Sequence, residues 1–204
     1  MHKLHIIKSE RKNATKALIL LHGRGSTAKE ILTIASSFNV NDYSLYAPQA
    51  TNHSWYPLSF LAQPDLNEPW LTSALELVDA TVQEILGSGI AKDSVYFFGF
   101  SQGACLTLEY VTRNAVSYGG VVAFTGGLIG DKIYPERYKG NFEGTKVLLA
   151  TANPDVHVPV ERVESSAVVL KEMGAVVVTK VYPNIGHTIN ADEIRMANEL
   201  IFNK

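Results

Sequence analysis

The pentapeptide Gly99-Phe-Ser-Gln-Gly103 has residue types and a spacing that suit nucleophilic chemistry. It follows an apolar segment and precedes one that can form a helix, the context in which G-x-S-x-G makes a sharp strand-to-helix turn. The flanking glycines permit that turn, which leaves Ser101 projecting alone at a helix N-terminus. The motif therefore predicts a serine nucleophile, with the Gln102 N–H directed at an oxyanion. The alternative is a turn whose serine only caps the helix.

A serine hydroxyl is a weak nucleophile near neutral pH, so Ser101 needs a base within hydrogen-bond reach and a group that orients this base. Of the six histidines, His187 follows the last predicted strand and precedes the last helix, and Gly186 permits a sharp loop before it. We therefore assign His187 as the base. His157 is the alternative, although we expect it at the rim of the site. Three others are expected to be exposed or to face substrate: His2, His5 and His53.

The acidic partner of the base is expected between Ser101 and His187 along the chain, the order that accompanies this type of elbow. Asp155 directly follows a predicted strand, and its carboxylate would hold the tautomer of His187 and stabilise the imidazolium. Asp131 and Glu136 also lie in this interval, but neither follows a strand directly. Asp155 is thus the predicted acid, with an ordinary loop or N-cap aspartate as the alternative reading.

The run Leu21-His-Gly-Arg-Gly25 supplies a second candidate for the oxyanion hole, because it follows an apolar strand and its glycines allow the backbone to aim a donor. The predicted donor is the Arg24 N–H. A phosphate-binding loop is the alternative, but the run lacks both G-x-G-x-x-G and a Walker lysine. His22 is expected to bond neighbouring backbone beneath the site.

Apolar runs separated by segments of helical period must position these groups. The predicted strands are 17–21, 44–47, 94–98, 120–124, 146–150 and 176–182, with an edge strand at 4–8. Helices are predicted at 69–86, at 104–110, from Pro159 to before Gly174, and after His187. This alternation predicts a single α/β domain over residues 1–204, with a mostly parallel sheet covered by helices on both faces.

Two long connections, 48–68 and 126–145, both follow predicted strands. Long loops in compact domains are often functional, and ligands bind beyond the carboxyl ends of parallel strands. We therefore expect both loops to border the site.

The overall composition excludes several classes of protein. Hydrophobic residues make up 46% and charged residues 19% of the 204, and the formal net charge of -2 offers no basic field for nucleic acid. The apolar runs are too short to span a bilayer, and the N-terminus lacks the hydrophobic segment of a signal peptide. One cysteine excludes an internal disulfide and a multi-cysteine metal site. These features predict a cytoplasmic protein without stable membrane insertion.

The motifs together resemble the phospholipase/carboxylesterase family of α/β-hydrolases, which includes small carboxylesterases and acyl-protein thioesterases. The resemblance runs through nearly the whole chain and is carried by five segments: Leu21-His-Gly-Arg-Gly25, Ser54-Trp-Tyr56, Gly99-Phe-Ser-Gln-Gly103, Asp155-x-x-Val-Pro159 and Gly186-His187. It implies the Ser101, Asp155 and His187 triad, oxyanion donors at Arg24 and Gln102, no metal or cofactor and no large helical lid. A homodimer is possible on the same ground.

The sequence departs from thioesterase-type members at two places: Ser26 stands where many have aspartate, and Tyr56-Pro57 replaces an aromatic-Asp pair. The aromatic run after Ser54 provides candidates for an apolar acyl or aryl pocket: Trp55, Tyr56, Phe60 and Leu61. Some of these could instead pin the loop, as we expect of Trp70. Cys105 is read as core packing.

The expected function is hydrolysis of short-to-medium carboxylic esters, with small-molecule esters as substrates. An acyl-protein thioesterase or lysophospholipase is the alternative, since the same triad cleaves both kinds of bond. A non-catalytic binding module is a third reading.

Overall fold

The central sheet of the computed structural model, which describes residues 1–203, contains seven strands. They are β1 (Ile6–Ser9), β2 (Ala17–Leu21), β3 (Ser44–Pro48), β4 (Val95–Phe100), β5 (Gly120–Phe124), β6 (Lys146–Asn153) and β7 (Val176–Pro183). Their spatial order is β1-β3-β2-β4-β5-β6-β7. The edge strand β1 is antiparallel to β3, whereas the other five pairings are parallel. The predicted mostly parallel sheet is confirmed. The predicted domain ends at Lys204, outside the described residues.

Strand β2 shows why the strands are apolar without alternation. All five of its residues are buried. Ala17, Ile19 and Leu21 pack into the core on one face of the sheet, and Leu18 and Leu20 pack into the core on the other face. Because helices cover both faces, neither set of side chains meets water.

Five α-helices are present in the described part of the chain: α1 (Ala28–Thr33), α2 (Trp70–Gly87), α3 (Gln102–Arg113), α4 (Val160–Glu172) and α5 (Ala191–Leu200). Buried residues of α2, α3 and α4 belong to one core, and those of α1 and α5 belong to the other. The predicted helices α2 to α5 are confirmed, with ends that differ by a few residues. This arrangement is the α/β-hydrolase architecture expected from the sequence.

Helix α1 was not predicted, although the sequence carries a signal for it. Thr27 accepts a hydrogen bond from the Glu30 N–H at 3.1 Å, and the Glu30 carboxylate accepts one from the Thr27 N–H at 2.9 Å. This reciprocal pair is a capping box, and Thr27-Ala-Lys-Glu30 matches its S/T-x-x-E pattern. Six residues are too few to show a clear helical period. The capping-box pattern was therefore the feature of the sequence that indicated this helix.

The two long connections meet at the carboxyl edge of the sheet. The Gly130 N–H donates to the Phe60 carbonyl at 2.7 Å, which ties the second connection to the first. Between them they form three short 3₁₀ helices, Thr51–His53, Pro64–Asn67 and Pro135–Arg137.

Candidate active site

The turn after β4 holds Ser101 in a backbone conformation that few non-glycine residues adopt, with φ of 55° and ψ of -121°. Close backbone approach requires the glycines beside it. A Cβ on Gly103 would lie 2.1 Å from the Leu21 carbonyl oxygen, and one on Gly99 would lie 2.5 Å from the Gly103 carbonyl oxygen. Ser101 therefore projects from a tight elbow between β4 and α3, as the pentapeptide predicts.

Three side chains from separate loops form a continuous hydrogen-bonded chain. His187 Nε2 lies 2.8 Å from Ser101 Oγ, and His187 Nδ1 lies 2.8 Å from Asp155 Oδ2. Asp155 follows β6 and His187 follows β7, so neighbouring parallel strands bring both loops to the same edge. A base within hydrogen-bond reach of a serine, itself oriented by a carboxylate, is the arrangement that activates a serine hydroxyl.

The Asp155 carboxylate is fully buried, which by itself would raise its pKa. Hydrogen bonds to the ionised form outweigh burial and hold the pKa below its usual value. Its Oδ1 accepts the N–H groups of His157 and Val158 at 2.8 and 2.9 Å, while Oδ2 faces His187. The carboxylate therefore stays charged near neutral pH and can stabilise a protonated imidazole.

Two backbone N–H groups beside Ser101 are available as oxyanion donors. The Arg24 and Gln102 N–H groups have no hydrogen-bond partner among residues 1–203. The Gly23 segment lies against Ser101, since a Cβ on Gly23 would lie 3.4 Å from Ser101 Cβ. Gln102 is the first residue of α3, where unpaired N–H groups favour negative charge.

A cavity of about 410 Å³ opens at Ser101. One wall consists of residues from the first long connection, here called the wall segment (residues 54–60). The cavity is lined by Arg24, Tyr56, Pro57, Leu58, Ser59, Phe60, Ser101, Gln102, Cys105, His157, Val158 and His187. Ser101 and His187 thus face a space that could hold a small organic molecule.

Comparison with known proteins shows to which protein family the chain belongs. The sequence profile described as Phospholipase/Carboxylesterase matches residues 2–203. The chain belongs to the phospholipase/carboxylesterase family.

Family members resemble this chain to different degrees. The crystal structure of a phospholipase/carboxylesterase from Dyadobacter fermentans has a TM-score of 0.98 and 50% sequence identity, covering 99% of this chain and 98% of that one. Carboxylesterase SOBER1 of Arabidopsis thaliana is 26% identical over an alignment of 201 positions that covers 87% of this chain and 86% of the relative. Acyl-protein thioesterase 1 of Gibberella zeae is 30% identical over 115 residues, 55% of this chain and about half of that protein, 49%.

The four residues predicted to bind substrate divide into two groups in this member of the family. Tyr56 and Phe60 line the cavity. Trp55 and Leu61 are not part of the lining. Trp55 is fully buried, and its Nε1 donates to the His22 carbonyl at 2.8 Å. Leu61 packs against the core. Trp55 therefore holds the wall segment to the body of the protein, the alternative interpretation of the aromatic run.

Side chains of both predicted oxyanion residues also hold the wall segment. The Gln102 amide bonds Trp55 and Tyr56, and the Arg24 guanidinium donates to carbonyls of the same segment. The two glycine-containing motifs predict only a backbone role for both residues and carry no signal for these side-chain contacts.

The remaining histidines occupy distinct places. His22 bonds backbone as predicted: its Nδ1 donates to Gly23 O at 2.8 Å, while its Nε2 accepts the Ala50 N–H at 3.2 Å. His157 is at the rim, with its ring edge-on to His187 at 5.1 Å. The structure contradicts the expectation for His2, which is partly buried between Trp55 and Trp70. His5 and His53 are exposed, and His53 is not part of the cavity lining.

Cys105 lies one helical turn after Ser101 and lines the cavity, although its thiol is buried. Burial raises the pKa of Cys105 to about 12, so the thiol stays protonated and is a poor nucleophile. Across residues 1–203 no group of three or more His, Cys, Asp or Glu side chains is placed to hold a metal ion. In the same residues no helix is both long and apolar enough to cross a membrane.

Proposed function

We propose that this protein is a serine carboxylesterase that hydrolyses short-to-medium acyl or aryl esters through an acyl-enzyme intermediate. The observation that carries the proposal is the unbroken chain of two 2.8 Å hydrogen bonds from Ser101 through His187 to Asp155. Family membership and the cavity at Ser101 agree with this chemistry. We expect the enzyme to act in the cytoplasm on small-molecule esters, without a cofactor.

The proposed reaction begins when the ester carbonyl oxygen lies between the Arg24 and Gln102 N–H groups. Ser101 Oγ attacks the carbonyl carbon as His187 Nε2 accepts the hydroxyl proton, and the oxyanion forms facing the two donors. His187 then gives the proton to the leaving alcohol, which produces the acyl-enzyme. A water molecule, activated by His187, releases the acid, and Asp155 remains ionised throughout.

The size of the cavity supports the proposed range of acyl groups. At about 410 Å³ it lies toward the small end of ligand pockets, which run from roughly 300 to 1,000 Å³. The buried rings of Tyr56 and Phe60 form part of its lining. A long acyl chain would have to lie outside these rings, in contact with water.

The experiment that tests the proposal is hydrolysis of p-nitrophenyl esters from acetate to palmitate by wild type and Ser101→Ala. We expect an optimum at short or medium chains and loss of nearly all turnover in the variant. Ser36→Ala removes an exposed serine hydroxyl and is the matched control. Equal turnover in wild type and Ser101→Ala would refute the mechanism, and the absence of turnover in both would favour a binding module.

A thioesterase is the second candidate, supported by the similarity to acyl-protein thioesterase 1. The same serine, histidine and aspartate would cleave a thioester by the same steps. Matched oxygen and sulfur esters with one acyl group separate the two functions. A higher kcat/KM for the thioester would favour the thioesterase.

A further inference from the structure

The backbone carbonyl oxygen of Tyr56 accepts three hydrogen bonds. Its donors are Arg24 Nη2 at 2.9 Å, Gln102 Nε2 at 2.8 Å and Ser54 Oγ at 2.9 Å. A carbonyl oxygen has two lone pairs, so three donors exceed its usual complement. Two of the donors are the side chains of the residues whose N–H groups flank Ser101. The wall segment is therefore joined to both oxyanion donors at one atom.

The Gln102 side chain bonds the backbone of two successive residues. Its Oε1 accepts the Trp55 N–H at 3.0 Å, while its Nε2 donates to the Tyr56 carbonyl. Gln102 is 6% exposed, so these bonds are shielded from water. A side chain without the amide would leave the Trp55 N–H buried and unpaired, which is costly.

The Arg24 guanidinium continues this contact along the chain. It donates to the carbonyls of Tyr56, Pro57 and Leu58, the last two at 2.9 and 2.7 Å. These three residues line the cavity. Guanidinium is a rigid planar donor and can span successive carbonyls, whereas a lysine ammonium presents donors from a single atom.

We propose that the side chains of Gln102 and Arg24 are positioning residues that couple the fit of the acyl group to the geometry of the oxyanion hole. The inference rests on the proposed function, because it assigns the wall segment to acyl binding. Each of the two residues offers its backbone N–H to the oxyanion and its side chain to the wall.

An acyl group that displaces the wall therefore also displaces the oxyanion donors. Stabilisation of the transition state depends on donors aimed at the developing oxyanion. A poorly fitting acyl group should therefore lower kcat as well as raise KM. Acyl groups beyond the preferred length should bind and then react slowly.

Arg162 provides a matched control. From α4 its guanidinium donates to the carbonyls of Leu128, Gly130 and Asp131 in the second long connection. It therefore makes the same kind of contact as Arg24. Arg162 does not line the cavity.

The test measures kcat and KM for p-nitrophenyl acetate to octanoate in Gln102→Met, Arg24→Met and Arg162→Met. With one or two buried hydrogen bonds lost, we expect kcat at the preferred length to fall about tenfold in the first two variants. The kcat ratio between the preferred ester and octanoate should shrink. Arg162→Met should keep the wild-type ratio. Arg24→Lys keeps the charge and a donor, so it should recover part of the kcat lost in Arg24→Met. If Arg24→Met does not fold, Arg24→Lys takes its place in the test.

Hydrogen–deuterium exchange gives a readout that does not depend on turnover. Exchange in residues 54–58 should accelerate in Gln102→Met and Arg24→Met, whereas Arg162→Met should accelerate it in residues 128–131. Unchanged exchange in 54–58 would overturn the positioning role even if wild type hydrolyses no ester, an outcome that would refute the proposed function separately. Faster exchange with an unchanged kcat ratio and a raised KM would overturn the coupling.

Discussion

The two sides of the cavity at Ser101 are held in different ways. The wall segment contains no member of the proposed triad, yet other residues hold it through hydrogen bonds. The side chains of Gln102, Arg24 and His2 bond its backbone, and the His22 carbonyl accepts the Trp55 Nε1–H. His2 also accepts the N–H of Thr51, just before the segment. Opposite it, Asp155 and His187 lie in two loops, here called the acid–histidine loops (residues 153–159 and 183–190). His187 remains 22% exposed there.

The two acid–histidine loops are joined by a hydrogen bond that the proposed chemistry would use, between Asp155 and His187. Asp155 also accepts the N–H groups of His157 and Val158, and the Asn184 N–H donates to the Asn153 carbonyl at 3.0 Å. Local order and catalysis should therefore be lost together on this side. On the wall side, residues outside the triad provide the order, so stability and acyl preference can be changed while the triad itself stays intact.

The largest effect is expected from Asp155→Asn. The amide can donate to His187 and favour the wrong tautomer, so kcat should fall on the order of 10³- to 10⁴-fold. Ester hydrolysis measures this loss, and exchange in the acid–histidine loops should accelerate while the wall segment is unchanged. A decrease of less than tenfold would show that Asp155 is not the acid.

Phe60→Ala should weaken the wall without touching the triad. Phe60 is 7% exposed and lines the cavity, so its removal should cost about 3 kcal/mol of unfolding free energy and move the preferred ester to a longer acyl chain. Phe142→Ala removes a buried ring from the second long connection and is the control, with a similar cost and no shift in preference. Urea unfolding and the ester series measure both. An equal shift in the two variants would contradict the wall assignment.

Glu193→Gln tests the residue that caps the end of the second acid–histidine loop, where the Glu193 carboxylate accepts the Asn190 N–H at 2.8 Å. Glu193 is fully buried in the first turn of α5, and burial raises its pKa from 4.5 to about 7. Because ionisation is harder in the folded state, stability present below pH 4.5 is lost as the pH rises through 7. Glutamine stays neutral, so the variant should be more stable than wild type at pH 8 by on the order of 2 kcal/mol, and little changed at pH 4. Urea unfolding at both pH values measures the difference in unfolding free energy between the variant and wild type. An equal difference at pH 4 and pH 8 would contradict the role of the Glu193 charge.

His2→Ala should have the smallest effect, on the wall side. The Thr51 N–H donates to His2 Nδ1 at 3.0 Å, so Nε2 carries the proton and donates to the Trp55 carbonyl at 2.9 Å. Burial lowers the pKa of His2 below its usual 6.5, and the Trp55 contact only partly opposes this. The stabilisation is therefore present above pH 6.5 and is lost as the pH falls through the lowered pKa.

The expected cost of His2→Ala is about 1 kcal/mol at pH 8 and less at pH 5. Thermal unfolding at the two pH values measures it, and His5→Ala, which removes an exposed imidazole, is the control. A larger destabilisation at pH 5 than at pH 8 would show that the charged ring is the one bound.

The sheet and the positions of the proposed catalytic groups could be predicted because each depends on local signals. An apolar run ending in G-x-S-x-G places Ser101, and the chain order of serine, acid and histidine places Asp155 and His187 after later strands. Parallel pairing then brings the three loops to one edge without further information.

The wall could not be predicted in the same way. Trp55 and Tyr56 are adjacent aromatic residues, and composition does not indicate which of them faces the cavity. The side-chain roles of Arg24 and Gln102 depend on carbonyls 32 and 46 residues away in sequence, in a loop without periodicity. The place of His2 near the N-terminus predicts an exposed or substrate-facing ring, whereas its position is set by the packing between Trp55 and Trp70.

The backbone of Ser101, at a φ of 55°, affects which variants of this protein a laboratory screen would enrich. A non-glycine residue in such a region costs on the order of 1 to 3 kcal/mol, and glycine at this position would recover part of that energy. Screening a mutant library for heat resistance alone should therefore enrich Ser101→Gly, a more stable protein that lacks the proposed nucleophile. Screening for turnover at elevated temperature would instead retain the serine and favour compensating changes elsewhere.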